Sequence, residues 1–243
     1  MAQVNEIAPD VYRICTFAES VNLQFCRFLV VDEEPLLYHA GMRRMFEETR
    51  DAVAQIIDPT TVRWVAFSHF EADECGALNE WLELAPQAEP ICSVCAAEVS
   101  VTDFSARPPR PLDDGETFNT GAKSWRFLQT PQVPHAWDCG HLFEETERVL
   151  FCSDLLNHGG DVEPVTGDDV VEPMCGLLKA YEGTPFAGYF PYSPGTARHL
   201  QRLADLEPEL CVTMHGSSYR GDGREIIERT AEALREMLGP APE

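Results

Sequence analysis

The sequence predicts an α/β protein built as a four-layer αββα sandwich, and three observations support this. Short apolar runs separated by polar turns fill residues 11 to 40. Alternating strand-like and helix-like segments follow, and the second half of the chain repeats the same style. Two successive halves, each strands first and helices after, fit paired sheets with outer helices better than a doubly wound sheet. Neither GxGxxG nor GxxxxGK[ST] occurs, so the usual nucleotide signatures are missing.

Three runs, Val11–Phe17, Phe25–Val31 and Leu36–His39, have strand composition, with Asp32-Glu33-Glu34-Pro35 as a turn between the last two. Together they read as an antiparallel meander. From Met42 to Ile57 the apolar residues Met42, Met45, Phe46, Val53, Ile56 and Ile57 fall at helical spacing, and Pro59 ends the pattern. Arg63–Ser68 reads as a buried strand. A second helix is expected from Asp73, carried by Leu78, Trp81, Leu82 and Leu84.

In the second half, Ser124–Gln129 and His141–Cys152 read as strands, the latter a hairpin turning through Glu145-Thr146-Glu147. Helices are expected near 173–184, 194–206 and 223–237, with the strand Leu210–Met214 between the last two. No Gly/Ser-rich or Pro-rich linker divides the chain, so residues 1–243 are expected to form a single domain.

The chain is strongly acidic, with a formal charge of −23 and a pI near 4.5. Such a surface repels phosphate backbones and anionic lipid, which argues against nucleic acid and membrane partners. No stretch approaches the roughly 18 consecutive apolar residues of a membrane span. The N-terminus lacks a basic segment followed by an apolar one, so no secretory signal is expected. Nine cysteines, several of them within apolar runs (Cys15, Cys26, Cys152, Cys211), read as reduced thiols in a cytoplasmic protein. The close pair Cys92-x-x-Cys95 has no second pair to complete a four-cysteine zinc site; it reads as structural, with a redox dithiol as the alternative.

The chemistry concentrates where apolar runs end. His69-Phe70-Glu71-Ala72-Asp73-Glu74 puts one imidazole and three carboxylates directly after Trp64-Val65-Ala66-Phe67. His135 lies beyond Phe127-Leu128, Asp154 closes Val149-Leu150-Phe151-Cys152-Ser153, and His215 closes Cys211-Val212-Thr213-Met214. In layered folds the ends of strands converge along one edge, so donors distant in sequence can meet there. A solvated helix start accounts for Asp73 and Glu74 but not for Glu71, nor for three histidines at matching places.

These motifs resemble the metallo-β-lactamase superfamily, and within it the diiron domain of flavodiiron proteins and the stand-alone oxygen-binding diiron proteins. The hydrolase branch reads H-x-H-x-D-H, whereas Glu71 stands at the third position here, as in the H-x-E-x-D pattern of the flavodiiron branch. The likeness runs through His69–Leu78, His135-x-Trp137-Asp138, Phe151–Asp154 and His215-Gly216. It implies a metallo-β-lactamase-like fold and a pair of non-haem irons, with His69, Glu71 and His135 on one and Asp73 and His215 on the other. Asp154 would bridge them. The chain departs from the pattern at Glu74, where the family has histidine: either Glu74 ligates the second metal through oxygen, which is the expectation, or it leaves a coordination position open.

Replacing imidazole by carboxylate adds charge and a harder donor, which moves a site from zinc toward iron or manganese. The resemblance further implies dioxygen as ligand. Flavodiiron proteins carry an FMN-binding domain, and no phosphate-cradling loop for FMN is visible here, so an oxygen sensor or carrier holding a peroxo adduct is expected. The alternatives are an O2 or NO reductase fed by an external electron donor, and a dinuclear metallohydrolase. A signalling protein or a reductase is the expected protein partner, and the family commonly forms homodimers. Lesser expectations are His158 orienting the bridging carboxylate and Phe70 and Trp137 walling the pocket. His39, His141 and His199 are expected to be structural, while Tyr192 and Tyr219 are candidates for hydrogen bonding to the ligand.

Overall fold

The computed structural model describes residues 2–239. Seven strands, β1 (Gln3–Ala8), β2 (Val11–Ala18), β3 (Leu23–Val30), β4 (Leu36–Tyr38), β5 (Trp64–Ala66), β6 (Glu89–Ser93) and β7 (Arg110–Leu112), form one sheet in sequence order. The first four run antiparallel, and β4 to β7 run parallel. The second sheet holds β8 (Thr117–Asn119), β9 (Ser124–Gln129), β10 (Gly140–Glu144), β11 (Val149–Phe151), β12 (Val165–Thr166), β13 (Leu210–Val212) and β14 (Ser218–Arg220), in the order β12-β14-β13-β11-β10-β9-β8.

Alternation along the strands divides the core into three slabs. On β3, Cys26, Phe28 and Val30 face the second sheet, where Trp125, Phe127 and Phe151 meet them. Leu29, one residue out of phase, faces outward and packs with Val53, Leu78 and Trp81. Those residues belong to α1 (Phe46–Val53) and α3 (Leu78–Leu84), which cover the outer face of the first sheet. Leu150 and Cys211 face outward from the second sheet onto α6 (Val171–Tyr181), α7 (Thr196–Ala204) and α8 (Gly223–Leu238). The short helix α2 (Ala72–Cys75) stands between α1 and α3, and α4 (Val94–Ala96), a π-helical stretch Ala97–Val101 and α5 (Thr102–Phe104) follow one another after β6. Helix, sheet, sheet, helix is the expected four-layer sandwich. Among the described residues no helix is long and apolar enough to cross a membrane.

Two helices are shorter than their periodicity suggests. The run from Met42 opens with a 3-10 turn, Arg43–Met45, and α1 ends at Val53. The helix expected from Asp73 breaks between α2 and α3, where the Ala77 N–H is taken by the Gly41 carbonyl at 2.8 Å rather than continuing the helical ladder. This break separates the acidic residues of α2 from the packing helix α3.

Candidate metal centre

Each candidate donor sits just past the C-terminal end of a strand. His69 follows β5, His135 follows β9, Asp154 follows β11 and His215 follows β13. The last three strands point the same way, because β11 and β13 are parallel and β9 is two antiparallel steps from β11. The Gly140 N–H donates to the Ser68 carbonyl at 2.9 Å, joining the donor-bearing ends of the two sheets. Glu71 caps α2, and Asp73 and Glu74 lie in its single turn.

The structure brings all seven expected residues together. His69 Nε2 and His135 Nε2 lie 3.0 Å apart, and Glu71 Oε2 lies 3.2 Å from the first and 3.3 Å from the second. Asp154 faces both sides of the cluster: Oδ2 is 3.4 Å from His135 Nε2 and Oδ1 is 3.3 Å from His215 Nε2. Asp73 Oδ2 lies 3.4 Å from His215 Nε2. Glu74 is fully buried, and its Oε2 lies 3.9 Å from His69 Nε2. It groups with His69 and Glu71 on one side and neighbours Asp73 on the other.

The outer ring nitrogens are held by the protein. His215 Nδ1 lies 2.7 Å from the Gln24 carbonyl, to which it donates, so Nε2 is left as the inward-facing donor atom. His69 Nδ1 lies 2.9 Å from Ser68 Oγ, which also meets Ser153 Oγ at 2.7 Å and His39 Nε2 at 3.2 Å. His39 thus keeps its structural role as the outer end of a chain that fixes the His69 ring. His141 spans Thr130 Oγ1 and the Cys152 carbonyl, also structurally.

The ionisation pattern is that of a cluster built around positive charge. Burial works against charge on His215, but Asp73 and Asp154 prevail and raise it to about 9. His69 is likewise opposed by burial and raised by Glu74 and by hydrogen bonding. Hydrogen bonds from His135 and His69 lower Glu71, whereas burial drives Glu74 well above the usual carboxylate range. Both Glu74 oxygens and Asp154 Oδ1 are buried without a hydrogen-bond partner. Orphaned buried oxygens beside converging imidazole nitrogens are costly in a purely structural cluster, and cations would satisfy them. The donor set therefore fits metal.

Other expectations change. His158 does not reach Asp154; its Nε2 accepts from the Ser217 N–H and its Nδ1 donates to the Leu156 carbonyl, so it braces the chain after His215. Gly216 belongs to the same packing: its φ is +105°, and a Cβ would come within 2.6 Å of the His158 ring. Phe70 and Trp137 are 37% and 60% exposed, so both stand at the surface beside the ligands rather than buried among them. Tyr192 and Tyr219 pack into the outer core of the second sheet. The tyrosine at the centre is Tyr189, whose ring lies edge-on to His135 at 4.5 Å and whose hydroxyl accepts from Asn157 Nδ2 at 2.8 Å. Tyr189 and Gln24 carry no local sequence signal, whereas Ser68 and Ser153 stand next to their ligand candidates. The Cys92 thiol is pushed by burial up to about 12, which makes it a poor nucleophile at neutral pH.

The pattern of the ODP family beta lactamase matches residues 23–216, which contain every one of these donors. The chain belongs to this family. Curated relatives include the rubredoxin-oxygen oxidoreductase of Megalodesulfovibrio gigas, 24% identical over 80% of this chain and 48% of the relative. The nitric oxide reductase of Moorella thermoacetica is 26% identical over 84% of this chain and 51% of the relative. The chain thus spans about half the length of the curated relatives it matches. Among solved structures, the rubredoxin oxygen:oxidoreductase from Desulfovibrio gigas superposes with a TM-score of 0.83 at 19% identity, covering 99% of this chain and 63% of the other. The fragment 1–254 of a putative diflavin flavoprotein from Nostoc gives 0.79 at 17% identity, covering 97% and 96%. These likenesses establish the metallo-β-lactamase-like flavodiiron-type fold.

Proposed function

We propose that the chain is a non-haem diiron protein that binds dioxygen, as a sensor or carrier. The observation that carries this reading is the convergence of Glu71, Asp73, Glu74 and Asp154 with only three imidazoles. Four carboxylates supply up to about four negative charges and hard oxygen donors, a set suited to iron rather than zinc. His69, Glu71 and His135 would hold one ion, Asp73 and His215 the other, with Asp154 shared and Glu74 adding an oxygen donor. Two irons so held would supply reversible dioxygen binding and the electrons that accompany it.

The protein's own groups prepare the site. Gln24 and Ser68 fix the rings of His215 and His69, so their Nε2 atoms face inward before any ion arrives. Tyr189 covers His135, and because its oxygen accepts from Asn157, its own proton remains available to donate toward the site. The names of the relatives favour a second reading, an O2 or NO reductase drawing electrons from a separate donor protein. A zinc hydrolase fits the carboxylate-rich donor set less well.

Anaerobic purification, elemental analysis and a visible spectrum recorded while air is admitted test the proposal. About two irons per chain, as the donor count implies, and a saturable, stoichiometric charge-transfer band are expected. Two zincs and no band overturn it. Continuous oxygen consumption on adding a reductant selects the reductase instead.

A further inference from the structure

Behind the His215 loop, the face shared by the two sheets contains a pair of thiols that the metal chemistry does not use. Cys15 on β2 and Cys26 on β3 are direct cross-strand partners, and both belong to the core between the sheets. The Cys26 N–H is bonded not to β2 but to the Met214 carbonyl, at 2.9 Å. In an antiparallel ribbon a residue's N–H and C=O point to the same side, so Cys15 and Cys26 form a non-hydrogen-bonded pair. Such pairs have Cα atoms about 4.5 Å apart and their side chains closest, at the short end of the roughly 4.4–6.8 Å that a disulfide spans. The other neighbouring-strand pair, Cys152 and Cys211, is diagonal, because the register sets Cys211 opposite Leu150.

A cation stands beside the pair. Arg13 lies two residues before Cys15 on the same face of β2, and its cross-strand diagonal neighbour is Cys26. Arg13 is fully buried, donates from Nη2 to the neutral oxygens of Gln24 and Gly216, and leaves Nε and Nη1 without partners. A buried guanidinium calls for an anion. Burial opposes ionisation of Cys26, yet the hydrogen bond from Cys15 and the charges of Arg13, His215 and Arg27 outweigh it and lower the thiol.

We propose that Cys15 and Cys26 are a redox-active dithiol that hydroperoxide converts to a cross-strand disulfide. The Cys26 thiolate attacks one peroxide oxygen, the O–O bond breaks, and sulfenic acid forms with hydroxide leaving as water. The Cys15 sulfur then attacks the sulfenic sulfur and expels a second water. Two thiols and one hydrogen peroxide become one disulfide and two waters; sulfur loses two electrons and the peroxide gains them. Arg13 also holds the Gly216 carbonyl next to His215, which sets the dithiol directly behind the metal loop. The thiol chemistry itself stands whether or not the cluster holds iron.

The test is peptide mapping without reductant, after hydrogen peroxide treatment and alkylation of the remaining thiols, on protein as isolated and after chelation. The expected product is a Cys15 peptide joined to a Cys26 peptide and released by dithiothreitol. In Cys15→Ser, dimedone is expected to label Cys26, and in Cys26→Ser to leave Cys15 unlabelled. Recovery of both thiols in alkylatable form, while the more exposed Cys95 and Cys175 are oxidised, overturns the proposal. So does linkage that forms only in urea. If either variant fails to fold, the wild-type map alone decides.

Discussion

His69 Nε2 and His135 Nε2 face each other at 3.0 Å across the mouth of the cluster, with Glu71 Oε2 within 3.3 Å of both. Two imidazole nitrogens that converge on one carboxylate oxygen are placed to share a cation. Changing Glu71 to histidine removes the only anionic donor of that trio and leaves three imidazole nitrogens. Glu71→His is therefore expected to shift metal preference from iron toward zinc, read by elemental analysis after growth with both metals. Unchanged iron content counts against the role assigned to Glu71.

Glu74 separates structural from metal-binding roles. Burial drives its carboxyl well above the usual carboxylate range, so Glu74→Gln, which keeps the size and removes the ionisable group, should cost the metal-free fold little. The melting temperature of the metal-free protein should stay nearly constant, while metal-induced stabilisation should fall. A variant with undiminished metal stoichiometry and affinity would show that the carboxylate turns away from the ions.

Metal uptake should depend on pH with a definite sign. His215 is raised to about 9, above the roughly 6.5 of a free histidine, so at neutral pH an ion must displace its proton. Apparent metal affinity should rise with pH up to about 9, with protons released to a weakly buffered indicator. The metal-free fold behaves oppositely: the His215 contribution is complete below a pH of about 6.5 and is lost as pH rises through about 9. His39 and His141, both lowered chiefly by burial, titrate on the acid side and do not affect this window. The difference between denaturant titrations of chelated wild-type protein and of a chelated His215→Gln variant across this range checks the sign.

Asp154 joins the two halves of the cluster, so Asp154→Ala should reduce the binding of both ions rather than of one. Loss of a single metal equivalent by elemental analysis would contradict a shared role.

Phe151 is fully buried between the sheets against Phe28, Tyr38 and Trp125. Phe151→Ala should cost about 3–5 kcal/mol of stability, seen as a lower urea midpoint. Asp154 lies only three residues further on, so weaker metal binding should accompany it.

Much of this was legible in the sequence, for local reasons. Strand alternation, helical spacing and the acidic turn at 32–35 are written in neighbouring residues, and they fixed the four layers and placed each donor after an apolar run. The motif His69-x-Glu71-x-Asp73 exposed its carboxylate character because side-chain chemistry is independent of the fold. The tertiary structure decided what depends on distant chain segments. Gly41 breaks the helix after Glu74 by capturing the Ala77 N–H; the Gln24 carbonyl chooses the tautomer of His215; Tyr189 displaces Tyr192 and Tyr219 at the centre. Phe70 and Trp137 look like pocket lining in sequence and lie exposed in the fold, because apolar character alone does not say which surface a loop presents. The register that makes Cys15 and Cys26 opposite partners is likewise a property of pairing, which arises only when β2 and β3 meet.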